Sequence, residues 1–515
     1  MKRFILSLFT SALAIGQAAY AQPKTPKVCY EIFVRSFADS NGDGLGDLNG
    51  ITAKLDYLKN LGVDALWLTP ISKSPSYHKY DVVDYKSIDP EYGTLEDYKR
   101  LIQEAHKRGI LVFKDFVINH SSSEHPWFVS AKSAKTSPYR NYYNWLPPKT
   151  IDSLGIATRE AAGGSWELTP WHFANKGDDE KYYGLFTGMM PDLNYDNPQL
   201  RKEIYEIGKW WLRDIGVDGF RLDAAKHIYP DWEAPKSHAF WQEFYKEMAS
   251  VKPEVYLIGE VWTTPDKVAP YFKGLPANFN IDAHLKLHDI LKTGNEHGFV
   301  KKLISDYKTY AAANPNFIDA PILSNHDGTR IGTVIGGDIN KMKAAANLLL
   351  TLPGEPYLYY GEEIGMLGEK PDEFLREPFL WTAQATDKSR PTWEKPRFST
   401  DQTVRPLSVQ QADPNSLYNH YKKLIAFRKS QPALVQVTPV NLEESGIDQD
   451  GILSFIRPHQ QGNLVVIQNL TGEMKTIPFS STTKSYKKVL FRTNSANVVN
   501  GALQLGAYGM AVLAK

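Results

Sequence analysis

The sequence has little cysteine, little net charge and no long apolar run beyond its N-terminus. Cys29 is the single cysteine in 515 residues, which excludes an intrachain disulfide and a zinc site built from several thiolates. The 59 Lys and Arg residues balance the 58 Asp and Glu residues. The chain therefore lacks the basic surface of a nucleic-acid-binding protein and the polybasic segment that attracts membranes. We expect no nucleic-acid partner and no stable membrane insertion.

Residues 1–21 are typical of a cleaved export signal. A basic pair, Lys2 and Arg3, precedes the apolar segment Ile5–Ile15, and Ala19-Tyr20-Ala21 fits the small-x-small cleavage rule. A membrane helix is the alternative, but the apolar run is shorter than the ~20 residues that a span needs. We therefore expect an exported protein, either periplasmic or secreted. Cys29 follows the cleavage point inside an apolar run, which indicates a buried side chain and not a lipid anchor.

A helix-like segment that ends in glycine and runs directly into a strand-like segment occurs repeatedly. The glycines are Gly62, Gly109 and Gly216, and glycine readily takes the left-handed conformation that closes a helix. Thr94 with Asp97 resembles a capping box at the start of one of these helices. This alternation of helix and strand predicts a parallel α/β fold.

About eight strand-like segments lie between residues 28 and 360, the number that a closed barrel needs. They are Val28–Val34, Val63–Leu68, Ile110–Phe113, Val217–Leu222, Val255–Ile258, Phe279–Ala283, Ala320–Leu323 and Tyr357–Tyr360. An open doubly wound sheet is the alternative, but it would normally carry a glycine-rich phosphate loop after its first strand, and the sequence has none there. We predict an α/β fold, a (β/α)8 TIM barrel.

Two segments interrupt or follow the barrel pattern. Residues 121–191 lack helical periodicity and are rich in Trp, Tyr, Pro and Gly, which indicates a small inserted domain after strand three. Short strand-like segments separated by turns follow residue 431 and predict a C-terminal antiparallel β domain over 431–515. The barrel is then expected to comprise residues 22–120 and 192–430.

Polar and charged side chains follow four of the predicted strands. They are Asp115, Asn119 and His120; Arg221 and Asp223; Glu260; and Asn325, His326 and Asp327. Chemistry in a barrel gathers where the strands end at the carboxyl face. A single acid at a strand end is usually a helix cap or a surface charge, but four such ends predict an active site.

Three carboxylates with an arginine and two histidines, in a chain with 12 Trp and 28 Tyr, suggest glycoside hydrolysis. Aromatic rings offer stacking surfaces to sugars, and the reaction needs one ionised and one protonated carboxyl group. We expect Arg221 to lower the pKa of Asp223 and hold it ionised. Negative neighbours would keep Glu260 protonated.

Several sequence blocks resemble the signature blocks of the α-amylase family of glycoside hydrolases, and they appear in the family's order. They are Asp115–His120, Met190–Asn194, Gly219–His227, Gly259–Trp262, Leu323–Asp327 and, at strand eight, Gly354–Pro356 with Tyr359–Glu363. The resemblance implies retention of anomeric configuration by double displacement. It implies that Asp223 is the nucleophile, Glu260 the general acid/base, and Asp327 the carboxylate that grips and distorts the sugar.

The resemblance also implies residues that bind the substrate. Arg221 would orient the nucleophile, and His120 and His326 would donate hydrogen bonds to the sugar at the cleavage subsite. Tyr80 would form the stacking platform beneath that sugar. Lys226 and His227 would lie on the acceptor side.

The loop from Asp39 to Asp47 places oxygen-bearing residues at alternate positions, as a calcium loop does. An EF-hand would need Glu where the chain has Gly50, so the loop is not an EF-hand, and Asp/Asn/Gly runs are often only turns. Its position between strand one and helix one resembles that of a calcium loop in many α-amylase relatives. The predicted Ca²⁺ ligands are Asp39, Asn41, Asp43, Asp47 and the carbonyl of Leu45.

The expected substrate is an α-glucan, starch or a maltooligosaccharide, cut at internal α-1,4 bonds by a monomeric enzyme. The segment Ser76–Asp81 resembles endo-acting amylases, although Lys79 replaces a usual glycine. Met190–Asn194 looks intermediate between exo-glucosidases and neopullulanases. An α-glucosidase, an oligo-1,6-glucosidase, a neopullulanase-like enzyme or a transglycosylase is therefore the alternative. A non-catalytic relative is disfavoured because all three carboxylates are present.

Overall fold

The computed structural model describes residues 25–157, 159–160, 167–383 and 386–515. The predicted export signal, residues 1–21, lies outside the described residues. Within the ranges given, no helix is both long and apolar enough to cross a bilayer.

Eight parallel strands form the central sheet, which confirms the predicted (β/α)8 barrel. They are β1 Cys29–Ile32, β2 Ala65–Leu68, β3 Leu111–Phe116, β4 Gly219–Leu222, β5 Tyr256–Gly259, β6 Ala277–Phe279, β7 Ile318–Ala320 and β8 Tyr357–Tyr359. Hydrogen bonding runs from β7 back through β1 and then to β8. A parallel bridge between Ile322 and Tyr357 joins the two ends of the sheet. The sheet is thus closed into a barrel.

Helices surround the barrel and form much of the connections between its strands. Helical segments of the barrel and of its C-terminal extension are Val34–Phe37, Leu48–Ala53, Leu55–Leu61, Leu95–Lys107, Pro198–Trp210, Trp211–Ile215, Ala225–Ile228, Asp231–Glu233, Ala234–Ala249, Pro265–Val268, Ala269–Lys273, Ile281–Thr293, Phe299–Ala313, Ile331–Val334, Ile339–Thr351, Glu362–Ile364, Asp372–Leu375, Leu407–Ala412, Leu417–Ser430 and Pro432–Val435. The capping box of Thr94 and Asp97 is present as predicted. Gly62 and Gly216 close their helices with φ of 103° and 94°.

The barrel interior is apolar towards the amino ends of the strands and charged at their carboxyl ends. Side chains alternate along a strand, so Cys29 and Glu31 of β1 both point inward, and both are buried. Cys29 packs with Trp67 and other apolar side chains of the interior cluster, which confirms its prediction as a buried residue. Glu31 lies in the layer above, where the strands lead into the candidate site.

Two predicted strand positions differ from the structure. The predicted strand Phe279–Ala283 is wrong after its first residue, because Asn280 accepts a hydrogen bond from the Ala283 amide at 2.9 Å and caps the helix Ile281–Thr293. A side-chain cap of this kind ends the strand and begins the helix. The predicted strand Ala320–Leu323 lies about two residues late, since β7 is Ile318–Ala320.

The chain between β3 and β4 forms a small substructure on the barrel rim. Its helical segments are Pro126–Ser133, Arg140–Tyr142 and Pro148–Leu154, and its strands are Trp145–Leu146, Arg159–Glu160, Glu167–Leu168, Trp171–His172 and Lys181–Tyr183. Bridges from His120 to Asp192 and from Tyr143 to Leu193 tie it to the barrel. The predicted insertion after strand three is therefore present.

The C-terminal part is antiparallel, as predicted. Its strands are Glu443–Glu444, Ile452–Arg457, Leu464–Asn469, Lys475–Pro478, Lys488–Thr493, Ala496–Val499, Ala502–Leu505 and Met510–Ala514. They form a five-stranded and a three-stranded sheet with a shared apolar core. Arg457 Nη1 donates to the Thr351 carbonyl at 2.9 Å, so this domain is joined to the barrel through a buried contact.

Candidate active site

Arg221 gathers three carboxylates at the carboxyl end of the barrel. Its Nη1 lies 2.7 Å from Asp223 Oδ1 and 3.1 Å from both oxygens of Asp115. Its Nη2 lies 2.7 Å from Glu260 Oε2. The arginine is buried, and β4 supplies Arg221 while the adjacent strands β3 and β5 lead to the other two acids. One guanidinium thus fixes the relative positions of the predicted nucleophile and the predicted acid.

The acidity of Asp223 differs from the prediction. Burial raises the pKa of Asp223 to about 8, and the negative charges of Glu260 and Asp115 add to this, while Arg221 only partly opposes it. Arg221 lowers this pKa as predicted, but the predicted ionised state of Asp223 is wrong for the free enzyme, because burial outweighs the ion pair. Asp223 is therefore largely protonated in the free enzyme at neutral pH.

Glu260 is held from two further sides. Its Oε1 accepts a hydrogen bond from Trp262 Nε1 at 2.7 Å, and its Oε2 accepts one from the Ala224 amide at 3.1 Å. Ala224 has a φ of 45°, an uncommon backbone conformation for a residue other than glycine. Such conformations cluster at active sites. This turn directly follows Asp223, so the backbone that positions one acid also contacts the other.

Asp327 lies opposite this cluster, between two cations. Its Oδ2 is 3.1 Å from His326 Nε2 and its Oδ1 is 2.8 Å from Arg376 Nη2. Burial would raise its pKa, but the charges of His326 and Arg376 outweigh burial and hold the pKa of Asp327 well below its ordinary range. The side chain keeps 39% of its surface exposed. Asp327 is thus an ionised carboxylate that faces the open cleft.

His326 is an imidazolium between two acids. Its Nδ1 lies 2.6 Å from Glu31 Oε1, and Asp327 lies on its other nitrogen. Burial opposes the charged form, but Asp327 and Glu31 outweigh it and raise the pKa of His326 to about 10. At neutral pH this histidine therefore presents two N–H donors.

Tyr80 links the residues of the cleft floor. Its ring stacks on His326, with centroids 5.3 Å apart and planes 10° apart, and its hydroxyl lies 2.6 Å from His326 Nε2. The Tyr80 carbonyl accepts from His120 Nε2 at 3.2 Å. Burial lowers the pKa of His120 to about 4, so His120 is neutral at neutral pH, and its Nδ1 lies 3.1 Å from Asn119 Oδ1.

Lys226 and His227 lie on the turn that follows Asp223. Lys226 Nζ pairs with Asp231 Oδ2 at 3.0 Å, and the His227 carbonyl accepts from Asn119 Nδ2 at 2.6 Å. Phe186 of the inserted segment meets the His227 ring edge-on at 5.7 Å. The structure therefore brings every predicted substrate-binding residue to one rim.

A cavity of about 190 Å³ extends from His227 along the border between the inserted segment and the barrel. Its walls include Trp145, Asn194 and Trp232, and Trp232 is 60% exposed. The cavity thus borders His227 with both aromatic and polar surfaces.

The loop Asp39–Asp47 is closed by hydrogen bonds to its own backbone. Asp39 Oδ1 accepts from the Gly42 amide at 2.7 Å, Asn41 Oδ1 from the Asp43 amide at 2.9 Å, and Asp43 Oδ1 from the Leu45 amide at 2.8 Å. Asp47 Oδ1 caps the helix Leu48–Ala53. The oxygen donors suit calcium chemically. Among the residues described above, however, no three acidic, histidine or cysteine side chains converge as a metal site.

The sequence assigned no role to Glu31, Trp262 or Arg376, and it indicated Asp115 only as a strand end and as the first residue of a signature block. Glu31 has a signal in the sequence, since it is a charged residue inside an apolar strand. Trp262 lies two residues after Glu260 within a block that was recognised. Arg376 lies far from any strand end, and the sequence pattern offers no signal for it.

The comparisons with known proteins agree with this geometry. Residues 31–437 match the family model described as "Alpha amylase, catalytic domain". The chain belongs to the α-amylase family. It is a glycoside hydrolase of that family, and its residues 452–512 match the "Alpha-amylase SusG C-terminal domain".

Relatives of this α-amylase family member cover nearly its whole length. It is 43% identical to "Alpha-amylase 3" of Dictyoglomus thermophilum, over 94% of this chain and 92% of the relative. It is 32% identical to "Alpha-amylase SusG" of Bacteroides thetaiotaomicron, over 98% of this chain and 93% of the relative. The crystal structure of an α-amylase from H. orenii superposes with a TM-score of 0.86 at 40% identity, covering 96% of this chain and 100% of that one. At 33% and 34% identity, over 86% of this chain, the relatives include an oligo-1,6-glucosidase and a 4-alpha-glucanotransferase.

Proposed function

We propose that this glycoside hydrolase cuts internal α-1,4 bonds of starch and maltooligosaccharides with retention of configuration. The observation that carries the proposal is the bridge made by Arg221, whose Nη1 lies 2.7 Å from Asp223 and whose Nη2 lies 2.7 Å from Glu260. Two acids that bind neighbouring nitrogens of one guanidinium are held near each other. Such proximity is typical of retaining enzymes, with a carboxyl separation of ~5–5.5 Å, and not of inverting enzymes, with ~6.5–9.5 Å.

In the first proposed step, a carboxylate oxygen of Asp223 attacks the anomeric carbon while Glu260 gives its proton to the glycosidic oxygen. The C–O bond to the leaving chain breaks and a covalent glycosyl–Asp223 ester forms. In the second step Glu260 takes a proton from water, the water oxygen attacks the anomeric carbon, and Asp223 leaves. The proposed first step therefore needs Asp223 as the carboxylate and Glu260 as the acid when substrate is bound.

The remaining residues hold the sugar at the reacting position. Asp327 is ionised and partly exposed, so it can accept hydrogen bonds from sugar hydroxyls. His326 and His120 are proposed donors to the same sugar, and the Tyr80 ring is its stacking surface. Lys226 and His227 are proposed to contact the next sugar on the acceptor side.

The cavity beside His227 supports action within a chain, because it gives room for sugars beyond the scissile bond. Trp232 offers an exposed ring beside it, and aromatic faces suit the apolar sides of sugars. Two relatives are named oligo-1,6-glucosidase and 4-alpha-glucanotransferase. The second candidate function is therefore that of an exo-acting or transferring enzyme.

We also propose that Ca²⁺ binds the loop Asp39–Asp47 through Asp39, Asn41, Asp43, Asp47 and the Leu45 carbonyl. The alternating hard oxygen donors support this, and such an ion would stabilise the fold without entering the reaction. The N-terminal pattern supports export to the periplasm or the medium. A monomer is proposed as the working form.

The product profile from soluble starch tests the proposed function. The enzyme should release mixed maltooligosaccharides early and lower the viscosity of starch before much reducing sugar appears. Glucose as the sole early product would favour the exo-acting candidate. Longer chains formed from maltotriose alone would favour a transferase.

A further inference from the structure

Lys79 lies in the loop that carries Tyr80 and has an unfavourable backbone conformation. Its φ is 65°, the left-handed region that favours glycine. The residue is nonetheless a lysine, and its side chain is 4% exposed. A strained backbone and a buried ammonium persist only where surrounding contacts compensate for both.

Those contacts are two carboxylates from a neighbouring turn. Lys79 Nζ lies 3.0 Å from Asp89 Oδ2 and 2.7 Å from Glu91 Oε2, and it donates to the Ser74 carbonyl at 3.3 Å. Glu91 is also bound by Arg35 at 2.7 Å. The ammonium therefore joins the loop of residues 74–81 to the charged cluster of Asp89, Glu91 and Arg35.

Tyr80, the residue after Lys79, contacts several residues of the predicted site. Tyr80 stacks on His326, its hydroxyl lies 3.2 Å from Asp115 Oδ2, and its carbonyl accepts from His120. A backbone shift of Lys79 would displace all three of these contacts at once. Displacements of about 1 Å at a reacting site can cost on the order of a hundredfold in rate.

We propose that Lys79 is a positioning residue that sets Tyr80 in place before substrate arrives. Its ion pairs with Asp89 and Glu91 hold the loop in the conformation that aligns the Tyr80 ring with His326. Lys79 is not proposed to contact the sugar, because its buried ammonium is bound by Asp89, Glu91 and the Ser74 carbonyl. The inference rests on the proposed glycosidase reaction.

A double-mutant cycle on kcat/KM tests this, with an aryl α-maltoside as the substrate. We compare Lys79→Met, Tyr80→Ala and the double variant, since coupled residues give non-additive changes. Lys79→Met keeps the side-chain length but removes the charge, and it should lower kcat/KM by about tenfold to a hundredfold. In the Tyr80→Ala background the same change should have little further effect, and Lys79→Arg should recover much of the loss.

Additive losses in the cycle would overturn the proposal, because they would show that Lys79 does not act through Tyr80. If Lys79→Met does not fold, Lys79→Gly replaces it in the cycle, since glycine removes the backbone strain. Full activity in Lys79→Gly would also overturn the proposal. The matched control is Lys99→Met, which removes an exposed pair with Glu96 and should leave kcat/KM unchanged. Failure of the wild-type protein to turn over any α-glucoside would instead refute the proposed function.

Discussion

Arg376 binds Asp327, with Nη2 2.8 Å from Oδ1, although the two residues are 49 positions apart in the chain. The same guanidinium donates from Nε to the His326 carbonyl at 2.9 Å and from Nη1 to the Tyr77 hydroxyl at 2.8 Å. Arg376 therefore fixes both the charge and the orientation of the carboxylate that faces the cleft.

Replacing Arg376 with Met should shift the acid limb of the pH profile to higher pH. Burial favours the protonated acid, and His326 and Arg376 outweigh it, so removing one cation raises the pKa of Asp327. The measurement is kcat/KM against pH on a maltooligosaccharide, with Arg376→Lys as the control that keeps the charge. An acid limb that does not move in Arg376→Met would contradict this assignment.

The same ion pair has a consequence for stability. A carboxyl group with a lowered folded-state pKa contributes stability above its unfolded pKa of ~3.9, and the contribution is lost as pH falls through the folded value. In Arg376→Met the folded-state pKa of Asp327 moves towards its unfolded value, so this contribution becomes smaller. Thermal melts between about pH 2 and pH 6 should therefore show a shallower fall in Tm with falling pH than in the wild-type protein, and an equal fall would contradict the assignment.

Replacing Glu31 with Gln should lower the pKa of His326 from about 10, because one of its two carboxylate partners loses its charge. A histidine with a raised pKa contributes stability that is fully present below its unfolded pKa of ~6.5 and is lost as pH rises through the folded value. Between these two values the wild-type Tm should fall with rising pH. In the variant this fall should be smaller, and equal slopes would show that Glu31 does not raise the pKa of His326.

A chelator should lower the Tm, and added calcium should restore it, because a ligand that binds only the folded state stabilises that state by mass action. Asp43→Ala should weaken the response, and calorimetry should give about one ion per chain for the wild-type protein. The matched control is Asp448→Ala, an equally exposed acid on the C-terminal domain. An unchanged Tm in excess chelator, with no heat of calcium binding, would contradict the calcium proposal.

The strand-end acids could be predicted from sequence because the barrel brings the carboxyl ends of all strands to one rim. Asp223, Glu260 and Asp327 each follow a strand or its short extension, so local pattern was sufficient to place them. Arg376 lies on a long connection after β8, and no local periodicity relates it to Asp327. The pKa of Asp223 could not be predicted from the sequence either. Burial within the folded cluster determines it, and the sequence shows only the neighbouring arginine.

Replacing Glu260 with Gln should affect substrates according to their leaving groups. The variant cannot donate a proton, so starch and maltooligosaccharides should lose at least ~10²-fold in kcat. A glycosyl fluoride should lose much less in the glycosylation step, since fluoride leaves without protonation. Equal losses on both substrates, measured under single-turnover conditions, would remove Glu260 from the role of proton donor.

The anomeric form of the first product tests the account most directly. Proton NMR is recorded within the first turnovers on a maltooligosaccharide, before mutarotation equilibrates the anomers, and Asp223→Asn is run beside the wild-type protein. Double displacement through Asp223 predicts α-anomeric product from the wild-type protein and no product from the variant. An initial β anomer, or full activity in Asp223→Asn, would contradict the assignment of Asp223 as nucleophile and Glu260 as acid.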